Sequence, residues 1–229
     1  MLKNLYLFCG FLIVHCGYSQ QDTTNYPAIA SAQQLYQTAT KPLAAYYNGR
    51  EYSIHEFNVT GHQFFESDEW QPGAVFFDGT FFSNVPVLYD AFRDKFLIGY
   101  SDGYTRLEIP QEKIKDFYLN KHHFVKLTKG LRPGFYEVLY DGKVKAFCRR
   151  MKERREDLSN KQVEIIYTEK EVYFIFKEGQ YHFVRSKKSV LNLFPDKKNE
   201  LKKYLKKFDF KHQRDVAIGK LTEYYDRLQ

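Results

Sequence analysis

The sequence predicts a mainly β protein with a C-terminal α segment: an antiparallel β-meander, open or partly closed into a barrel, followed by two or three helices. Three observations lead there. Tyr, Phe and Trp make up 18% of the 229 residues, a share that suits rings packing across strands and along one face of a sheet. Turn pairs that tolerate positive φ, at Asn48-Gly49, Asp78-Gly79, Asp102-Gly103 and Asp141-Gly142, break up β-prone runs. The last forty or so residues then switch to helical spacing of apolar side chains.

In chain order, Lys3 precedes an apolar run from Leu5 to Val14, with small residues at Gly17 and Ser19. About ten apolar residues are too few to span a bilayer, which takes about twenty, so residues 1–19 read as a cleavable signal peptide with a mature start at Gln20. Cleavage there removes Cys9 and Cys16 and leaves Cys148, which excludes an intramolecular disulfide. Residues 20–45 are polar and small, a linker at the mature N-terminus. Residues 46–186 form the meander. Its hairpins are expected at Ala74 to Phe82 around Asp78-Gly79, at Phe96 to Ile109 around Asp102-Gly103, and at Phe135 to Cys148 around Asp141-Gly142. Phe117 to Leu119 and Phe124 to Leu127 are two further strands joined across Asn120, Lys121 and His122. Beyond a charged stretch from Arg149 to Lys161 come Val163 to Tyr167, Val172 to Phe176 and Gln180 to Val184, the last pair turning at Glu178-Gly179.

Residues 187–229 are the basic helical segment. Leu201, Tyr204, Leu205 and Phe208 stand at i, i+3, i+4 and i+7, one apolar stripe, and Lys198, Lys202, Lys203, Lys206 and Lys207 crowd the remaining surface. Pro195 suits a first helical turn and Ser189 is placed to cap a short turn before it. A final helix from about Gln213 to Leu228 aligns Ile218, Leu221, Tyr225 and Leu228.

Charge is laid out unevenly. Residues 20–110 hold about five Lys and Arg against eleven Asp and Glu, and residues 111–229 about twenty-nine against seventeen. In an exported chain this points away from nucleic acid and toward an anionic envelope surface or an acidic partner protein, with a merely solvated surface as the plain alternative. The anion-binding candidates are Arg149, Arg150, Lys152, Arg154 and Arg155, which can fork onto phosphate or carboxylate or serve as an exposed linker, and Lys198, Lys202 and Lys206 on the amphipathic helix.

Other constellations carry less chemistry. His62 lies near Glu66, Asp68 and Glu69, but at no established metal spacing, so a solvated loop anchored by Trp70 is the expectation. His122 and His123 are adjacent, would face opposite sides of a strand, and are read as turn or edge residues. Cys148 alternates with Val144 and Ala146, the pattern of a buried structural thiol. Phosphate-loop, nucleophile-elbow and paired-carboxylate motifs are missing from the sequence, and no metal or cofactor is implied.

Several stretches carry a resemblance: Ser19-Gln20; Gly61-His62 through Ser67-Asp68-Glu69-Trp70 to Gly73; Phe77-Asp78-Gly79 leading to Val85-Pro86-Val87-Leu88-Tyr89-Asp90; and Asp196-Lys197-Lys198 to Glu223-Tyr224-Tyr225-Asp226. In these the chain resembles a family of uncharacterised secreted proteins from Bacteroidota-type Gram-negative bacteria. The resemblance implies a periplasmic, outer-membrane or extracellular location and no assigned activity. The functional expectation is a non-catalytic envelope binding protein. A carrier holding a hydrophobic ligand in a curved aromatic sheet comes second, and an enzyme acting on envelope polymers third.

Overall fold

A computed structural model describes residues 49–159 and 162–229. The signal segment, the 20–45 linker, Cys9, Cys16 and Asn48 lie outside the described residues. The twelve strands are β1 (Arg50–Glu51), β2 (Val59–Thr60), β3 (Gln71–Phe77), β4 (Thr80–Asp90), β5 (Lys95–Gly99), β6 (Arg106–Glu108), β7 (Ile114–Leu119), β8 (His122–Leu127), β9 (Gly134–Asp141), β10 (Lys145–Asp157), β11 (Glu164–Lys177) and β12 (Gln180–Val184). They make one sheet in the order β1-β6-β5-β4-β3-β7-β8-β9-β10-β11-β12, with β2 added in parallel to the far end of β11. Every other pairing is antiparallel. The sheet does not close, and three helices follow it: α1 (Lys187–Asn192), α2 (Lys198–Leu205) and α3 (Arg214–Arg227).

The expected class therefore stands, with one change in connectivity. After β6 the chain crosses through a short 3-10 turn at Gln111–Lys113, and β7 pairs with β3 on the side opposite β4. Two meanders are thus joined back to back at β3. Gly73 sits at that junction because a Cβ there would lie 2.4 Å from Val87 Cγ2 and 2.6 Å from the Tyr118 carbonyl oxygen.

Of the turn pairs read as two-residue hairpins with positive φ, Asp78-Gly79 is one, and the other two described pairs mark wider connections. Asp78 and Gly79 both take left-handed φ, 49° and 81°, and close a two-residue hairpin. Around Asp102-Gly103 the connection is wider, and the Asp102 carboxylate accepts from the Tyr104 and Thr105 amides and from Thr105 Oγ1. At Asp141-Gly142 the glycine makes room: a Cβ would fall 2.2 Å from Asp226 Oδ2, the carboxylate near the end of α3 that accepts from the Lys143 and Val144 amides. His122 opens β8 and pairs with Leu119, so the β7–β8 turn is only Asn120-Lys121, and the turn or edge placement of both histidines is corrected to an interior strand.

A second correction concerns the charged stretch. Arg149 to Asp157 continues β10 in unbroken register with β11, and β11 is one strand where two had been expected. Cross-strand ion pairs replace apolar packing there: Lys152 donates to Glu169 and Lys170 to Glu153.

Three apolar clusters hold the fold. Inside the curl of β3 to β9, Tyr89, Phe96, Phe117, Phe124 and Phe135 pack ring on ring, with Phe117 and Phe124 stacked at 4.8 Å and Phe96 at 4.6 Å from Phe117. Each such ring is fully buried, a contribution of about 1.5–3 kcal/mol apiece. On the other face of β4 and β5, Phe64, Leu88 and Leu97 lie under Tyr52, Ile54 and Trp70. The third cluster joins Val144, Ala146, Cys148, Tyr173 and Ile175 to the helices through Val190, Phe194, Leu201, Leu205, Ile218, Leu221 and Tyr225. The predicted stripe of α2 is thus the docked one, although Phe208 lies past the helix end, against Tyr204 at 5.4 Å. The cap of α1 is Ser186; Ser189, three residues on, completes a reciprocal capping box.

Candidate functional site

β8, β9, β10 and β11 each raise a charged side chain from the same side of the sheet, and α3 adds another from above. Glu137 is directly opposite Phe124 on one side and Cys148 on the other, while Arg150 is opposite Glu171. These registers line up His122, Glu137, Arg150 and Glu171 across four strands. Arg150, buried, donates from Nε to Glu137 Oε2 at 2.6 Å, from Nη1 to Glu171, and from Nη2 to Asp215 Oδ2 at 2.8 Å. Glu137 turns its other oxygen to His122 Nδ1 at 2.5 Å. The Phe65 ring meets His122 edge-on at 5.0 Å and lies 5.8 Å from the Arg150 guanidinium.

This ladder floors a cleft of about 540 Å³ between the loop carrying Phe65 and Glu66, the β7–β8 turn at Lys121, and the first half of α3. Glu66 enters from the loop on a left-handed backbone, φ 56°, inside a three-residue turn in which the Ser67 amide donates to the Phe65 carbonyl at 2.6 Å. A glutamate in that region is uncommon and strained. Its Oε1 comes within 3.0 Å of His122 Nε2, outside hydrogen-bonding direction, so Nε2 has no hydrogen-bond partner among the described residues. The hydrogen bond that His122 donates to Glu137, helped by the charges of Glu137 and Glu66, raises the His122 pKa against the opposing effect of burial. Arg150 and the Val216 amide hold Asp215 below the usual carboxylate range, although its burial works in the other direction.

A second depression, about 750 Å³, is lined by Arg93, Arg132, Arg149, Lys152, Arg154 and Arg155 among others. Arg149 lies at its base, donating to Asp94 Oδ2 at 3.1 Å and to the Tyr136 hydroxyl at 3.3 Å. Arg154 donates to Glu56 at 3.1 Å and Glu156 at 2.8 Å.

The chain matches no protein-family model, no curated protein and no solved structure. Its functional reading therefore rests on its own geometry.

That geometry divides the eight anion-binding candidates. Arg149, Arg150, Lys152 and Arg154 already hold carboxylates of this chain, and the stretch is a strand, not an exposed linker. Arg155 stays exposed beside Asp157, whose carboxyl it helps to hold down after the Ser159 hydrogen bonds. Lys198, Lys202 and Lys206 are exposed on α2, and Lys198 reaches only the amide oxygen of Asn192 at 3.1 Å. Among the described residues no carboxylate pairs with Lys202, Lys203 or Lys206. Cys148 is fully buried, and burial pushes its thiol far up. Trp70 anchors its loop as expected, packing on the Phe64 cluster and donating to the Gly103 carbonyl at 3.1 Å. His62 stacks near Phe64, and among the described residues no group of three or more His, Cys, Asp and Glu is placed to hold a metal ion. Nor is any described helix long and apolar enough to cross a membrane.

Sequence reasoning passed over Glu137, Glu171 and Asp215. The one available signal was charge complementarity between Arg150-Met151-Lys152 and Glu169-Lys170-Glu171, which pairs only if both stretches are strands.

Proposed function

We propose that this is an exported, non-catalytic binding protein of a Gram-negative envelope, which docks on an anionic surface through the lysine face of α2. The observation that carries the reading is the division of labour on that helix. Leu201 and Leu205 are buried in the sheet-facing core, so Lys198, Lys202, Lys203 and Lys206 face outward together without neutralising carboxylates among the described residues. Lys187, Lys188, Lys207 and Lys211, before and after that helix in the chain, are exposed as well. Each lysine near an anionic membrane contributes about 1 kcal/mol of attraction, and the attraction reaches only about 8 Å at physiological salt, so several must approach at once. Several exposed lysines on one short helix, with Glu200 engaged by Lys197, meet that condition. Arg149, Arg150 and Arg154 of β10 contribute little to it, because a guanidinium already engaged by carboxylates has few donors left.

The carrier reading needs a cavity behind the aromatic strands. The packed ring cluster on the inner side of β3 to β9 weighs toward surface docking. The location is carried by the export signal and by the family resemblance. Flotation with vesicles tests the reading: the mature chain is expected to float with vesicles containing phosphatidylglycerol or lipopolysaccharide at low salt, and to stay behind with purely zwitterionic ones. Equal behaviour with both would overturn it.

A further inference from the structure

Charge on the floor of the cleft is out of balance. Glu66, Glu137, Glu171 and Asp215 surround two cationic groups, Arg150 and His122. Arg150 brings one positive charge to three of these carboxylates, and His122 brings a second only when protonated. The neighbouring lysines do not make up the difference. Lys152 is held by Glu169, Lys220 by Glu223 and Lys170 by Glu153, and Lys121 stands exposed at the rim. Glu137 is buried, while the Glu66, Glu171 and Asp215 side chains are 43%, 38% and 31% exposed, and carboxylates gathered this closely repel one another unless a cation compensates them.

The second observation is independent of the carboxylates. The His122 side chain is only 9% exposed, lines the cleft, and has Nε2 without a hydrogen-bond partner among the described residues. With Nδ1–H donating to Glu137, the neutral ring turns an Nε2 lone pair to Glu66 Oε1, 3.0 Å away at the edge of the cleft, and a cation donating to both would relieve that contact. Beside it, Glu66 is 43% exposed and able to swing outward.

We propose that this cleft binds an organic cation, a primary ammonium or guanidinium group, which donates hydrogen bonds to Glu66 and to Nε2 of neutral His122 and takes the place of the histidine proton. The volume suits a small molecule or one extended amine chain. Arg150 is poorly placed for an anion, since each of its three nitrogens already donates to a carboxylate, Glu137, Glu171 or Asp215. Binding is coupled to protons: below the pKa of His122 one proton leaves the ring for solvent as each cation binds, so affinity rises with pH through that range. The groups that set this titration are Glu66 from the loop, Lys121 from the β7–β8 turn, Glu137 from β9, Arg150 from β10, Glu171 from β11 and Asp215 from α3.

The test is calorimetric titration of the mature chain with agmatine and with 1,4-diaminobutane, at low ionic strength and at about pH 5.5 and about pH 8, either side of the ordinary histidine range. Repeating the acid titration in buffers of different ionisation enthalpy reads out proton release. Saturable binding of at least one amine is expected, at least about fivefold tighter at the higher pH, with protons released at the lower. Glu66→Gln, checked for an unchanged thermal melt, is expected to weaken binding at least about tenfold. Nitrogen NMR of the His122 ring in the unsubstituted protein is a readout that needs no variant: amine should move Nε2 to the neutral, hydrogen-bond-accepting position. No saturable heat at pH 8, an unmoved His122 resonance, tighter binding at pH 5.5, or unchanged affinity in Glu66→Gln would each overturn the proposal.

Discussion

Replacing Arg150 with alanine removes the one cation shared by Glu137, Glu171 and Asp215. Glu137, 7% exposed, keeps only His122 as a partner, and Asp215 loses the contact that ties the start of α3 to β10. Removing one partner of a buried ion pair costs about 3–5 kcal/mol, because the remaining charge stays desolvated and unpaired. At about 2–4 °C per kcal/mol for a chain of this size, Tm should fall by on the order of 10 °C. Differential scanning calorimetry on the protein at neutral pH reads this directly. The companion double variant Arg150→Met with Glu137→Leu should recover most of the loss, since an apolar pair of similar volume is often as stable as the ion pair it replaces. A single variant melting within about 2 °C of the parent would refute the reasoning, and so would a double variant no more stable than the single one.

Further outcomes follow from the same structure. Cys148, fully buried with its pKa raised by burial, should react with a thiol reagent only after denaturant is added, and rapid labelling of the native protein would place the thiol elsewhere. His122 has a folded-state pKa raised above its ordinary value of about 6.5. Its contribution is complete below that value and fades as pH rises through the raised one, so Tm of the parent should drop toward that of His122→Gln as pH is raised above about 6.5. A gap between the two that widens with pH would contradict the sign. Gly142→Ala, with its Cβ forced to 2.2 Å from Asp226 Oδ2, should detach the end of α3 from the β9–β10 turn and cost about 1–3 kcal/mol in urea unfolding; a neutral effect would show that the contact is slack.

Much of this architecture was legible because local chemistry agreed with the fold. Asp78-Gly79 demanded left-handed φ and has it, and the i, i+3, i+4 spacing of Leu201, Tyr204 and Leu205 points the helix at the sheet as read. Where legibility failed, the stabilising partner lay far along the chain. Arg149 to Asp157 shows no apolar alternation because its strand is held by Glu169, Lys170 and Glu171, roughly twenty residues on. His122 looked like a turn residue because its partners, Glu137 and Glu66, are set by register and by a strained loop. The β7–β3 pairing has no local signal at all: it depends on Gly73 allowing Val87 and the Tyr118 carbonyl to come close. For the same reason the cleft could not be read in advance, since its four carboxylates come from a loop, two strands and a helix spread from Glu66 to Asp215.

The central claim is that the exposed lysines of α2 mediate docking, and vesicle binding by the triple variant Lys198→Gln, Lys202→Gln, Lys206→Gln tests it most directly. With about 1 kcal/mol per lysine, the variant should bind phosphatidylglycerol vesicles roughly a hundredfold more weakly at low salt, with an unchanged melt, while binding of the parent falls steeply as salt rises. Parent binding that is indifferent to salt, or a triple variant that binds as the parent does, would contradict the account.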